Sequence, residues 1–174
     1  MTTLNEWFDR AEGDWKSDRR YLYAGKDKFK PQLIYTDLSV RLDITDAEKE
    51  AIPNEFNQGY VRLVWDSVLE DGKPSSNGQM MCGYGNGSFF RSQGYMTDTE
   101  TICETEFIDD DTVVFHTSYD SWTFREEIRL IDEDRARLRQ TVAWRNGDVK
   151  LVGQYYEYRC HDDTNVRTKD PSVG

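Results

Sequence analysis

Between Trp15 and Arg159 the chain keeps reversing direction. The turn signals Glu70-Asp71-Gly72, Gly85-Asn86-Gly87, Asp109-Asp110-Asp111, Asp132-Glu133-Asp134 and Asn146-Gly147 recur along it, separated by runs rich in β-branched and aromatic residues. Asn-Gly is the strongest of these, because a type I′ hairpin needs two residues with positive φ. Within the runs the polarity alternates: Leu38, Val40 and Leu42 interleave with Ser39, Arg41 and Asp43, a period of two. The strands read from this pattern are 15–23, 33–42, 60–69, 79–84, 88–95, 101–107, 112–119, 122–131, 136–145 and 149–159, about nine or ten in all. Successive hairpins make sequence neighbours antiparallel, and so many strands in one small domain must close or split into two sheets. Closure removes both edges, so the expected fold is all-β: an antiparallel up-and-down barrel, roomy enough for one small ligand.

Two short helices interrupt the strand pattern. Thr3-x-x-Glu6 is a capping box, followed by Leu4, Trp7, Phe8 and Ala11 on one helical stripe, with Gly13 as the stop. This predicts a helix over 3–12 that lays an apolar face on the barrel. A second box, Thr45-x-x-Glu48, starts a shorter helix that ends before Pro53. One barrel domain is expected over 1–160, with a loose tail over 161–174 that has charge, Pro and Gly but no periodicity.

Composition removes several function classes. The chain carries 33 Asp+Glu against 22 Lys+Arg, a formal net charge of -11, which opposes binding to a phosphate backbone. No window approaches 18 consecutive apolar residues, and residues 1–6 lack the basic and apolar regions of a secretory signal, so neither a membrane span nor export is expected. Cys82, Cys103 and Cys160 are an odd set without close pairing, which fits a reducing compartment. His116 and His161 have no metal-like spacing to a cysteine. Met80-Met81-Cys82 reads as core or cavity wall, and no nucleophile–base pair is visible.

Two charged groups stand out. Arg125, Arg129, Arg135, Arg137, Arg139 and Arg145 crowd the late strands of an acidic chain. In the strand 137–142 one phase carries Arg137, Arg139 and Thr141, and guanidinium forks of this kind suit carboxylates or phosphates. Neighbouring Asp and Glu can equally balance them on a solvated face. Glu126 falls in the apolar phase of Trp122, Phe124, Ile128 and Leu130, whereas Glu127 falls with Arg125 and Arg129. A carboxylate among apolar side chains is costly unless paired or protonated, which singles out Glu126.

The motifs now resemble known families. Gly13-Asp14-Trp15, after a helix and ahead of a meander, resembles the G-x-W signature of calycin barrels, in which the Trp packs across the barrel bottom against a late-strand Arg; Arg159 is the candidate. Glu6-Trp7-Phe8 with Gly13-Asp14-Trp15-Lys16-Ser17-Asp18-Arg19, then Val61-Arg62-Leu63-Val64-Trp65-Asp66, Phe90-Arg91-Ser92-Gln93-Gly94-Tyr95 and Arg137-Leu138-Arg139-Gln140-Thr141-Val142 resemble, in the same order, four motifs of the S-type (CpcS/CpeS) phycobiliprotein lyases. The family's His pair after the first-strand Arg and its second Trp after the Trp65 segment are replaced here.

The resemblance implies a ten-stranded calycin-type barrel that binds an open-chain tetrapyrrole (bilin) as substrate, with no permanently bound cofactor, and attaches it to a cysteine of an apo-phycobiliprotein subunit. It implies Trp65, Tyr119 and Trp144 as stacking walls, and Arg19, Arg137 and Arg139 as propionate partners. Glu126 or Glu127 is implied as the catalytic carboxylate that favours a protonated bilin. The bilin is phycoerythrobilin or phycocyanobilin, with a bilin reductase as candidate donor and a homodimer as one candidate assembly. The implied location is a cyanobacterial cytoplasm or an algal plastid stroma. Two other readings stay open: a non-catalytic carrier of the lipocalin or fatty-acid-binding type, and a haem barrel with His116 as axial ligand.

Overall fold

The computed structural model describes residues 1–25, 30–94 and 97–160. The expected tail over 161–174, Tyr95 and His161 therefore lie outside the described residues. Ten strands close into one antiparallel barrel in the order β1-β10-β9-β8-β7-β6-β5-β4-β3-β2. They are β1 (Gly13–Tyr23), β2 (Lys30–Arg41), β3 (Gly59–Leu69), β4 (Pro74–Gly85), β5 (Ser88–Arg91), β6 (Thr101–Asp109), β7 (Thr112–Tyr119), β8 (Trp122–Ile131), β9 (Ala136–Arg145) and β10 (Asp148–Arg159). Pairing of β1 with both β2 and β10 closes the ring and leaves no edge. The two Asn-Gly turns have the backbone the sequence requires: Asn86 and Gly87 at φ 53 and 77, Asn146 and Gly147 at φ 53 and 84.

Two strands depart furthest from the sequence expectation. β4 starts at Pro74, not Gln79, because Pro74-Ser75-Ser76-Asn77-Gly78, which reads as turn, is recruited by β3: Trp65 pairs with Gly78 and Ser67 with Ser76. β5 stops at Arg91, not Tyr95. The Gly94 N–H there leaves the ladder and donates to the carbonyls of Thr97 and Thr99 at 3.1 and 3.0 Å.

One end of the barrel is plugged by α1 (Leu4–Ala11), whose capping box between Thr3 and Glu6 forms as the sequence indicates. Its stripe of Trp7, Phe8 and Ala11 is buried in the core. Phe8 stacks on Tyr84 and Phe89 at 5.6 Å each, and Trp7 Nε1 donates to the Asp111 carbonyl at 3.0 Å. The short α2 (Asp46–Lys49) and a 3₁₀ turn at Asn54–Phe56 cross the same end, with Phe56 stacked on Phe90.

Trp15 is fully buried beneath this plug and donates from Nε1 to the Ala11 carbonyl at 3.0 Å. Two guanidiniums lie over its indole, Arg159 at 4.3 Å and Arg137 at 4.7 Å from the ring centroid. Arg159 also donates to the carbonyls of Asp134, Glu12 and Arg10. These bonds fasten α1 and the β8–β9 turn to the barrel floor, and that turn holds Asp132, Glu133 and Asp134 all at positive φ. Arg10 adds an ion pair to Asp134 at 2.7 Å.

Arg159→Ala removes these bonds at once and should cost about 2–3 kcal/mol in urea unfolding, the scale of lost charged hydrogen bonds. Arg135→Ala, whose partners Asp132 and Glu133 are exposed, should stay within about 0.5 kcal/mol. Equal losses would show that Arg159 does not fasten the floor.

Candidate functional site

Above Trp15 the barrel interior holds a cavity of about 350 Å3, within the range of small-molecule sites. Its walls come from the inward phase of each strand. β1 contributes Arg19 and Tyr21, β3 Leu63 and Trp65, β8 Glu126 and Ile128, and β9 Arg137 and Arg139. Among the described residues, the charged side chains in the middle of the barrel are four guanidiniums (Arg19, Arg91, Arg137 and Arg139) and two carboxylates (Glu126 and Glu157). The interior of a strongly anionic chain thus has a surplus of two positive charges.

The pairing follows from register. Glu126 is 3% exposed; Arg91 donates from Nη2 to its Oε1 at 3.1 Å, and Arg139 donates to its Oε2 from Nε at 2.9 Å and also from Nη2. Glu157, fully buried, accepts from Arg137 Nε at 2.9 Å. Burial opposes the charged form of Glu157, yet Arg137, Arg139 and Arg19 outweigh it and leave its carboxyl below the ordinary value. Burial also pulls the Arg137 guanidinium below its usual value despite Glu157. Arg19 uses Nε for Ser17 Oγ at 2.9 Å. In Arg19 and Arg137 these bonds engage Nε, so terminal guanidinium nitrogens remain for a ligand's carboxylates.

Tyr155 organises this cluster. Arg139 and Arg19 lie 4.9 and 5.3 Å from its ring centroid, and Tyr21 meets it edge-on at 5.4 Å. Burial raises its phenol well above the ordinary value. Opposite, the Trp65 indole lies flat on β4 because Gly78 has no side chain: a Cβ there would come within 2.8 Å of the ring. Cys82 is buried and its thiol is pushed up to about 12 by burial, so it offers no thiolate at neutral pH. No group of His, Cys, Asp and Glu that could hold a metal occurs among the described residues.

The structure therefore brings together Arg19, Trp65, Glu126, Arg137 and Arg139 of the residues singled out from sequence. It separates the other three. Glu127 points outward, with its side chain 32% exposed and paired to Arg125 at 2.9 Å, because adjacent strand residues face opposite sides. Trp144 shares the outward phase of Leu138 and Gln140, so it cannot stack inside the barrel. Tyr119 ends β7 at the open end, stacked on Phe124 at 5.3 Å, outside the residues that line the cavity. His116 sits on the outer face, 41% exposed and 3.3 Å from Glu106, which removes it as an interior axial ligand. Sequence reasoning missed Arg91, Tyr155 and Glu157. Glu157 was detectable as a carboxylate in phase with Tyr155 on β10; Arg91 and Tyr155 carried no comparable signal.

A family model described as "CpeS-like protein" matches residues 3–160. A Picosynechococcus protein named provisionally as the chromophore lyase CpcV is 26% identical over 161 residues, covering 88% of this chain and 79% of its own. A Nostoc protein named provisionally as the phycocyanobilin lyase CpcS 2 is 28% identical over 163 residues, covering 88% and 89%. Among solved structures, the S-type phycobiliprotein lyase CPES of Guillardia theta superposes with a TM-score of 0.71 at 17% identity, over 93% of this chain and 95% of that one, a likeness of fold.

The buried Arg137–Glu157 pair yields a stability prediction. Glu157→Gln strands a buried guanidinium and should destabilise by about 3–5 kcal/mol, against less than about 0.5 kcal/mol for exposed Glu127→Gln. Because folding lowers the Glu157 pKa, its contribution is present above the ordinary value of 4.5 and is lost as pH falls through the folded value. Wild-type unfolding free energy should thus drop more steeply below about pH 4.5 than that of the variant. Parallel pH curves would show that the pair does not stabilise the fold.

Proposed function

The chain belongs to the CpeS-like family, and from that premise we propose that it is a bilin lyase: it holds an open-chain tetrapyrrole in the barrel and delivers it to a cysteine of a phycobiliprotein subunit. The observation that carries this reading is the interior surplus of two positive charges beside an aromatic wall. A bilin brings two propionates and a long π-system. Arg19, Arg137 and Arg139 are suited to the propionates, and Trp65 to the π-face.

Glu126 supplies the remaining element. Held between Arg91 and Arg139, it is a carboxylate fixed in the cavity wall, and a carboxylate near the ring nitrogens favours their protonated form. Protonation draws electron density from the ethylidene group and opens it to attack. The acceptor's thiol adds across that double bond: the C–S bond forms, the thiol proton passes to the bilin, and no group leaves. The lyase itself needs no nucleophile, consistent with the unreactive Cys82. Its contribution is orientation of the ethylidene carbon and exclusion of wrong addition.

Incubation with phycocyanobilin or phycoerythrobilin plus apo-phycobiliprotein, followed by a denaturing gel read by bilin fluorescence, tests the activity. A fluorescent acceptor band that depends on this chain is expected. Bilin binding without a labelled acceptor would leave a carrier. Glu126→Gln should still bind bilin, with a blue-shifted and weaker long-wavelength band and slower transfer, whereas Glu127→Gln should match wild type. Arg19→Ala or Arg139→Ala should weaken binding by about 1–3 kcal/mol. Unchanged spectra and transfer in Glu126→Gln would take the carboxylate out of the mechanism.

A further inference from the structure

Without a ligand, the carboxylate assigned to the ring nitrogens is engaged through both of its oxygens. Arg91 donates from Nη2 to Glu126 Oε1 at 3.1 Å. Arg139 spends two donors, Nε at 2.9 Å and also Nη2, on the other oxygen, Oε2. The two arginines approach Glu126 on β8 from opposite sides along the sheet, Arg139 from β9 and Arg91 from β5. For Glu126 to face a ring nitrogen, one of these contacts has to give way.

The surroundings decide which one. Arg91 is 3% exposed, and its guanidinium lies 5.3 Å from the Phe115 ring centroid and 5.6 Å from that of Phe89. Phe89 stacks on Phe8 of α1, so the plug backs the slot that walls Arg91 in. Arg139 belongs to the opposite group: register sets it beside Tyr155, and Tyr155 beside Arg19, in the row of cations suited to propionates.

The bonding geometry points the same way. A guanidinium binds a carboxylate best through two parallel bonds, one to each oxygen. Glu126 cannot offer Arg139 that fork, because Arg91 holds its Oε1, and both Arg139 donors converge on a single oxygen. A ligand carboxylate entering the cavity has two oxygens to offer the same edge and is the better partner.

We propose that a ligand propionate takes Arg139 from Glu126, that Oε2 then turns to the ring nitrogens, and that Arg91 is the positioning residue that keeps Glu126 in the wall during the exchange. This rests on the bilin reading of the cavity and adds a coupling to it. Recognition of a carboxylate at one point releases the charge that favours ring protonation at another. The exchange is balanced: Arg139 keeps a carboxylate, Oε2 trades arginine N–H donors for ring N–H donors, and Glu126 stays ionised while the added ring proton comes from solvent. A ligand whose propionates are esterified leaves Oε2 on Arg139.

Absorption spectra of bound phycocyanobilin and of its dimethyl ester, each at saturating concentration, test the exchange. In wild type the bound acid should show the red-shifted band of a protonated chromophore. The bound ester should lack it, as the acid does in Glu126→Gln, and its transfer to the acceptor thiol should be slower by about tenfold or more. In Arg139→Ala nothing from β9 claims Oε2, so acid and ester should give the same red-shifted band although the acid binds more weakly. Arg91→Leu should lose the band with the acid, and Arg91→Lys, which keeps a cation in the slot, should restore much of it. A wild type without the band for the acid, or Glu126→Gln with an undiminished one, would defeat the carboxylate reading itself. If that reading stands, equal bands for acid and ester in wild type would overturn the exchange at Arg139. An Arg91→Leu spectrum like that of wild type would overturn the role of Arg91.

Discussion

A guanidinium inside a closed barrel has to be neutralised or placed against π-electrons, because an unpaired charge in that environment costs several kcal/mol. Four such groups occupy the middle of this barrel, and the interior is arranged around that demand. Glu126 joins Arg91 to Arg139, Glu157 holds Arg137, and the Tyr155 ring separates Arg19 from Arg139. The two carboxylates cannot match four cations. The remaining charge is tolerated by aromatic faces and by the open mouth, and it is what the two propionates of the proposed bilin would meet.

The same demand ties the site to the plugged end. Arg137 lines the cavity, bonds Glu157 and lies over Trp15, whose indole also carries Arg159. Arg159 in turn fastens α1 through backbone carbonyls. Floor, plug and ligand wall thus form one connected cluster. A substitution in the floor should therefore be felt at the cavity, whereas the outer face can change without reaching it.

The strand count, the antiparallel order and the N-terminal helix were legible because turn chemistry and period-two patterning are local signals. So was the inward direction of Glu126, Arg137 and Arg139, since phase along a strand decides it. The same rule set Glu127 in the polar phase with Arg125 and Arg129, where it lies, and it puts Trp144 outside with Leu138 and Gln140. Other features were not local. The Trp65–Gly78 contact exists only once β3 pairs with a segment that reads as turn. Arg91 lies in a four-residue strand too short to show a phase, and its partner Glu126 is three strands away around the ring, a distance that only closure of the barrel spans.

The most direct test of the claim that the interior charge surplus exists to hold two carboxylates is a comparison of one bilin with its dimethyl ester in fluorescence titrations. Esterification keeps the π-system and its shape but removes both negative charges. The account predicts that the ester binds about a hundredfold or more weakly, the loss of two charged hydrogen-bonded contacts, each about 1.5–3 kcal/mol. Equal affinity for acid and ester would contradict it and would leave the interior arginines with only a structural role.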